Sequence, residues 1–111
     1  LKLGKNLEVI SRARIEIDAM RLMVLQAAKA MDVMGNKEAR VYVSAIKAMV
    51  PEKVCVIIDQ AMQMHGATGI SHWSPLPDMY HHQRHLRFAD GPDEVHHMVV
   101  GRAEAQKHGA W

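Results

Sequence analysis

The stretch LRFADGPDEVHH, from Leu86 to His97, places carboxylates at Asp90, Asp93 and Glu94 around a Gly91-Pro92 step. Proline suits the first position of a helix, where its missing N–H would have no intrahelical partner, so Pro92 predicts the opening of a last helix. Asp93 and Glu94 then fall in the first turn, where unpaired amides and the helix dipole favour negative charge. They need no chemical role. Asp90 lies just outside, behind Gly91, a residue that lets a ligand or another backbone approach closely. An acid there is either a capping group or a base aimed into a cleft, and residue types alone leave both open.

Other candidates are weaker. His81, His82 and His85 in YHHQRH contain an i,i+4 pair, the spacing of helical metal ligands, but no Glu or third ligand stands in register. A solvated or partner-facing helix side is expected there, with no metal. His96 and His97 are read as surface residues. Cys55 falls near an apolar seam and reads as a small buried hydrophobe, not a nucleophile. Ser71 and Ser74 form no nucleophile elbow.

The elements that must position these residues are helical throughout. From about Asn6 to Met34, Ile10, Ala13, Ile17, Met20, Val24, Ala27, Met31 and Met34 recur at steps of three and four. The second half, from Ala19 onward, is apolar on most of its circumference and should pack against protein outside this chain. Gly35-Asn36 ends the helix. A second helix is expected over about Lys37 to Met64, with Ile46, Val50, Val54, Ile57, Ala61 and Met64 as its seam and a kink or break at Pro51. HGATGISHWSPLP should be an ordered loop packed down through Ile70, Trp73 and Leu76. A shorter helix follows, with Leu76, Met79, Tyr80, Gln83 and Leu86 on one side. The last helix carries Val95, Met98, Val99 and Ala103 as its stripe, and the tail QKHGAW is expected to fray. The fold class is all-α, an antiparallel four-helix bundle in one domain spanning 1–111.

Composition excludes several classes. A net charge of +2 with no Lys/Arg-rich run gives no footprint for nucleic acid. No apolar stretch reaches the roughly 18 residues of a membrane-spanning helix. One cysteine allows no internal disulfide, which points to a reducing compartment. Nine Met and eight His stand against 5% aromatic residues. Flexible Met side chains suit an irregular helical core, and a Met-rich binding groove is the alternative. The opening LKLGKNLEVI has neither an initiating Met nor a signal-peptide pattern, so the chain reads as a piece of a longer polypeptide. A cytoplasmic location is expected, with a mitochondrial one left open.

Taken in order, AMQMHGATGIS, SPLPDMYHHQRHLR and FADGPDEVHHMVVGRAE resemble the C-terminal helical domain of the acyl-CoA dehydrogenases. That family has a Gln-x-x-Gly-Gly-x-Gly loop after one helix, then a Pro-anchored helix, then a Glu-Gly-Thr/Pro-x-Glu/Gln turn opening the last helix. Here these correspond to Gln63, Gly66, Ala67 and Gly69, to Pro75–Arg87, and to Asp90–Glu94. SRARIEIDAMRLMVLQAAKAMD resembles the family's long first helix of that bundle. The resemblance implies an FAD-dependent oxidoreductase of fatty acid metabolism in which Asp90 removes the α-proton of an acyl-CoA. Ala89, Asp90 and Gly91 would border substrate, and Pro92, Asp93 and Glu94 would lie along the FAD. Gln63, Met64, His65, Gly66 and Ala67 would touch the FAD of a neighbouring subunit in a dimer or tetramer. An electron-acceptor flavoprotein is the implied further partner. Asp90 departs from the Glu of most members, although Ala-Asp-Gly-Pro-Asp-Glu resembles a subgroup that carries Asp. Ala67 replaces the usual second Gly. The segments holding most of the flavin and the thioester are absent, so the fragment alone should be inactive. The alternative is a helical association module that keeps the fold without the chemistry.

Overall fold

The computed structural model describes residues 4–110. Among them are five helices and no strand: α1 Gly4–Met34, α2 Arg40–His65, α3 Ala67–Ile70, α4 Leu76–His85 and α5 Asp93–Lys107. The class is all-α, as expected. α2 is the axis of the assembly: α1, α4 and α5 each pack against it, and the short α3 lies on α2 and α4. No helix among the described residues is long and apolar enough to cross a membrane.

α1 ends where glycine permits it. Gly35 takes φ 84° and its N–H reaches the Met31 carbonyl at 3.0 Å, the simplest left-handed helix stop. α2 starts at Arg40, three residues after the expected Lys37, because residues 36–39 form a turn that seats Ala39 completely out of solvent. α2 then runs through Pro51 without a break. Pro51 is itself buried, so the cost of its missing donor is set against the packing of its ring.

The buried stripe of α2 is Ser44, Ala48, Pro51, Cys55 and Ile58. The expected seam of Ile46, Val50, Val54, Ile57, Ala61 and Met64 is only half-buried. A central helix has neighbours on several sides, and small residues occupy the side where backbones approach most closely. α1 presents Met20 and Ala27 from its expected seam, joined by Ala30. Val9, Ala13, Ile17 and Met23 are half-buried, whereas Leu22, Leu25 and Val33 face outward, 68%, 59% and 73% exposed.

Further expectations are corrected. The segment after α2 contains a helical turn, α3, and it is seated by Gly69, not by Ile70 and Trp73, which are 73% and 83% exposed. Serine turns order it instead: Ser71 Oγ donates to the Thr68 carbonyl at 2.8 Å, and Ser74 Oγ accepts from Leu76 N–H at 3.0 Å. In α5, Val95 and Met98 point outward, and the inner side carries Asp93, His96, Val99 and Ala103. Pro92 stands one residue before the helix, extended at ψ 163°. The C-terminus does not fray through Ala110: Gly109 N–H bonds the Gln106 carbonyl, and Ala110 N–H bonds that of Ala105, both bonds of a Schellman cap. Trp111 lies outside the described residues.

Candidate active site

The α4–α5 connection gathers the acids. α4 ends at His85, and residues 86–90 form a turn. Asp90 takes φ 56° and Gly91 φ 105°, consecutive left-handed residues that reverse the chain before Pro92. A non-glycine residue pays about 1–2 kcal/mol for that region, and Asp and Asn tolerate it best because their short side chains bond locally. This is a backbone reason for Asp at this position instead of the longer Glu.

The side chains sort the three acids. No side chain caps the start of α5, so the capping reading of Asp90 does not hold. Its residue is exposed, and its carboxylate engages no hydrogen bond or ion pair among the described residues. Asp93 is the opposite. It is buried, its Oδ2 accepts from Arg87 Nε at 2.7 Å, and its N–H donates to the Arg87 carbonyl at 3.0 Å. The bond to Asp93 holds the Arg87 guanidinium protonated even more firmly than usual. Asp93 Oδ1 is buried without a partner. Glu94 is exposed on the first turn. The dipole therefore accounts for Glu94, whereas Asp93 closes the turn onto Arg87.

Residues not singled out from the sequence hold this turn. Lys47 Nζ donates to the carbonyls of Leu86 and Gly91, the latter at 3.2 Å. His96 is half-buried, contrary to the surface placement: Nδ1 lies 3.3 Å from Ser44 Oγ and Nε2 lies 3.3 Å from the Asp90 carbonyl. A carbonyl only accepts, so Nε2 carries the proton, and in the neutral ring Nδ1 accepts from the serine hydroxyl. His97 is exposed as expected. Ser44 and Lys47 sit one helical turn apart, and a polar residue in an apolar helix pattern gives no hint of what it will meet.

Gln63, Met64, His65, Gly66 and Ala67 form the corner where α2 ends and α3 begins. Gly66 has φ 63° and ψ −142°, a conformation close to glycine's own region, and a Cβ there would meet open space. Gln63, Gly66 and Ala67 help line a depression of about 370 Å³. Lys47 and Gln63 stand 16 residues apart on α2, about 24 Å along its axis at 1.5 Å per residue.

His81 and His85 line an apolar groove of about 510 Å³ with Met62, Ile70, Tyr80 and Phe88, whereas His82 faces a second one, of about 490 Å³, beside Ile17 and Met79. No cluster of metal-ligating side chains exists among the described residues. Cys55 is buried, and burial pushes its thiol above the ordinary value. It suits packing, not nucleophilic attack.

The chain is thus an all-α domain that carries an uncommitted carboxylate at a strained helix entrance and an open glycine corner at the end of α2. The sequence profile described as acyl-CoA dehydrogenase, C-terminal domain, matches residues 8–105. The chain belongs to the acyl-CoA dehydrogenase family and corresponds to that family's C-terminal domain. It is 48% identical over 101 residues to acyl-CoA dehydrogenase family member 10 of Mus musculus, covering 91% of this chain and 9% of the relative. It is 46% identical over 100 residues to FadE2 of Mycobacterium tuberculosis (strain ATCC 25618 / H37Rv), described as an acyl-CoA dehydrogenase, covering 90% and 25%. A solved structure from Mycobacterium abscessus, described as an acyl-CoA dehydrogenase, superposes with a TM-score of 0.93 at 46% identity, covering 96% of this chain and 26% of that one. The chain thus spans about a quarter or less of these relatives.

Proposed function

We propose that this chain is the C-terminal domain of a flavin-dependent acyl-CoA dehydrogenase, in which Asp90 is the base. The observation that carries the reading is the state of Asp90. Its backbone is held in a strained conformation by its neighbours, while its carboxylate is exposed and serves no cap. Strain of this kind collects at functional positions. Asp90 takes the α-proton of the acyl thioester, and the β-hydrogen departs with its electron pair, leaving a trans-2-enoyl thioester. FAD, when bound, supplies the acceptor for that hydride.

The residues present fit such a group. Small residues at Gly66 and Ala67 leave backbone open to a pyrophosphate, and Gln63 adds a side-chain amide beside them. At the other end Ala89, Asp90 and Gly91 border substrate, and Pro92 to Glu94 lie along the flavin. Asp93 contributes backbone there, since its carboxylate is committed to Arg87. The corner from Gln63 to Ala67, open at Gly66, reaches the flavin of a second copy in a dimer or tetramer. Electrons then leave to an acceptor flavoprotein.

The test is Asp90→Asn in the full-length protein. The amide is isosteric and tolerates the left-handed backbone, so folding and flavin content stay near parental. Flavin reduction by saturating acyl-CoA, followed by stopped flow, falls by about 10²–10⁴-fold, the usual contribution of a positioned base. Reduction at the parental rate refutes the assignment. A colourless protein that still self-associates would instead mark an association module.

A further inference from the structure

The turn bearing Asp90 is held from outside itself. Three of its carbonyls, those of Leu86, Asp90 and Gly91, accept bonds from side chains on α2 and α5. Lys47, on α2, supplies two of these bonds from one ammonium, on both sides of Asp90 in the chain. His96, on α5, supplies the third and is itself bonded to Ser44 on α2. The ring of His96 also fills the space beside Gly91, where an added Cβ would stand 3.1 Å from Nε2. Consecutive residues with positive φ are not a resting state of free chain, and such conformations persist where the surroundings over-determine them. The pair Arg87 and Asp93 closes the base of the turn. It leaves the carbonyls around Asp90 to the α2 and α5 side chains.

We infer that Lys47, and His96 with Ser44, are positioning residues that hold the backbone of Asp90 in the left-handed conformation from which its carboxylate meets substrate. The inference rests on Asp90 being the base. None of the three touches the reacting atoms in this role; each acts through the carbonyls of the turn. The arrangement makes geometric sense for a short acid. Asp has one side-chain bond fewer than Glu with which to correct a displaced backbone, so the backbone must be placed well. A positively charged anchor is suited to the task, because hydrogen bonds from an ionised donor are about twice as strong as neutral ones.

The experiment uses the full-length, flavin-loaded protein with Lys47→Met, Lys47→Arg and His96→Phe. Met keeps the apolar stem and removes both bonds, Arg keeps a cation, and Phe fills the ring's space without donors. The limiting rate of flavin reduction by saturating acyl-CoA falls about 10–100-fold in Lys47→Met and His96→Phe, the scale of a misplacement near 1 Å. Flavin content and acyl-CoA affinity stay within about twofold, and Lys47→Arg recovers most of the rate, since a merely structural role would move binding and rate together. The Asp93 amide exchanges about tenfold faster in Lys47→Met, as the turn opens locally. In an Asp90→Asn background, Lys47→Met lowers the residual rate by less than about twofold, because the group it acts through is gone.

Each contrary result overturns the inference in its own way. If Asp90→Asn is slow but Lys47→Met and His96→Phe reduce flavin at the parental rate, the base stands and the positioning role falls. If the Lys47→Met loss persists in full on Asp90→Asn, Lys47 acts elsewhere. If flavin is lost in proportion to rate, Lys47 only supports the fold. If Asp90→Asn keeps the parental rate, the base assignment fails first and the positioning role with it.

Discussion

Gly69 offers the sharpest steric test of how the corner between α2 and α3 is built. It is buried within α3, and a Cβ added there would stand 2.5 Å from the Met62 carbonyl oxygen and 2.9 Å from Met62 Cα. Both are backbone atoms of α2 and cannot swing aside. Ordinary contact begins at 3.4 Å, so Gly69→Ala must lift α3 from α2 by about 0.9 Å, the difference of 3.4 and 2.5. Overpacking of this kind costs about 1–3 kcal/mol, and the upper part of that range is expected because α2 is fixed by α1, α4 and α5. Gly66 and Ala67 lie three and two residues before Gly69, so the same displacement moves the backbone proposed to meet the pyrophosphate. Gly101 is the control: it sits inside α5 with open space around it, and Gly101→Ala should gain about 0.5–1 kcal/mol through backbone entropy. The assay is thermal unfolding of both variants at full length, with flavin content measured on the same samples. Gly69→Ala should melt lower and retain less flavin, and Gly101→Ala should melt slightly higher with flavin unchanged. Parental melting and flavin content in Gly69→Ala would refute the account of α3 as a turn seated on α2 backbone.

Two further outcomes follow from burial. Cys55 is pushed up by burial from an ordinary value near 9.0, so its folded pKa exceeds its unfolded one. Its contribution to stability is therefore constant below that ordinary value and declines as pH rises from there through the folded pKa; denaturant midpoints of parent and Cys55→Ala against pH should converge at alkaline pH, and a constant gap would count against it. The outward side of α1 carries Leu22 and Leu25 at 68% and 59% exposure; Leu22→Glu with Leu25→Glu should shift the protein toward smaller species in light scattering, and an unchanged mass would refute this face as a self-association surface.

The sequence by itself determined the elements and the order of the motifs. Helical periodicity set α1 and α2 to within a few residues, because an apolar repeat at steps of three and four has one economical solution. Gly35 stopped α1 for a local reason, its freedom at positive φ. The acids at 90, 93 and 94 were visible as a group, and their place at a helix entrance follows from Pro92 and the dipole alone. What local pattern could not decide was which way polar residues face. A hydrophobic stripe assumes that apolar side chains go inward, yet α5 turns Asp93 and His96 inward and Val95 and Met98 outward. Ion-pairing with Arg87, six residues away across the turn before α5, and bonding to Ser44 on α2 make those polar contacts possible. For the same reason Lys47, a charge inside an apolar pattern, gave no sign of its carbonyl partners 39 and 44 residues away. The separation of Asp90 from Asp93, one carboxylate left uncommitted and one buried, was likewise decided only when the α4–α5 turn closed Arg87 onto Asp93. Three acids of one kind in one turn differ by what packs against them, and packing is a property of the assembled chain.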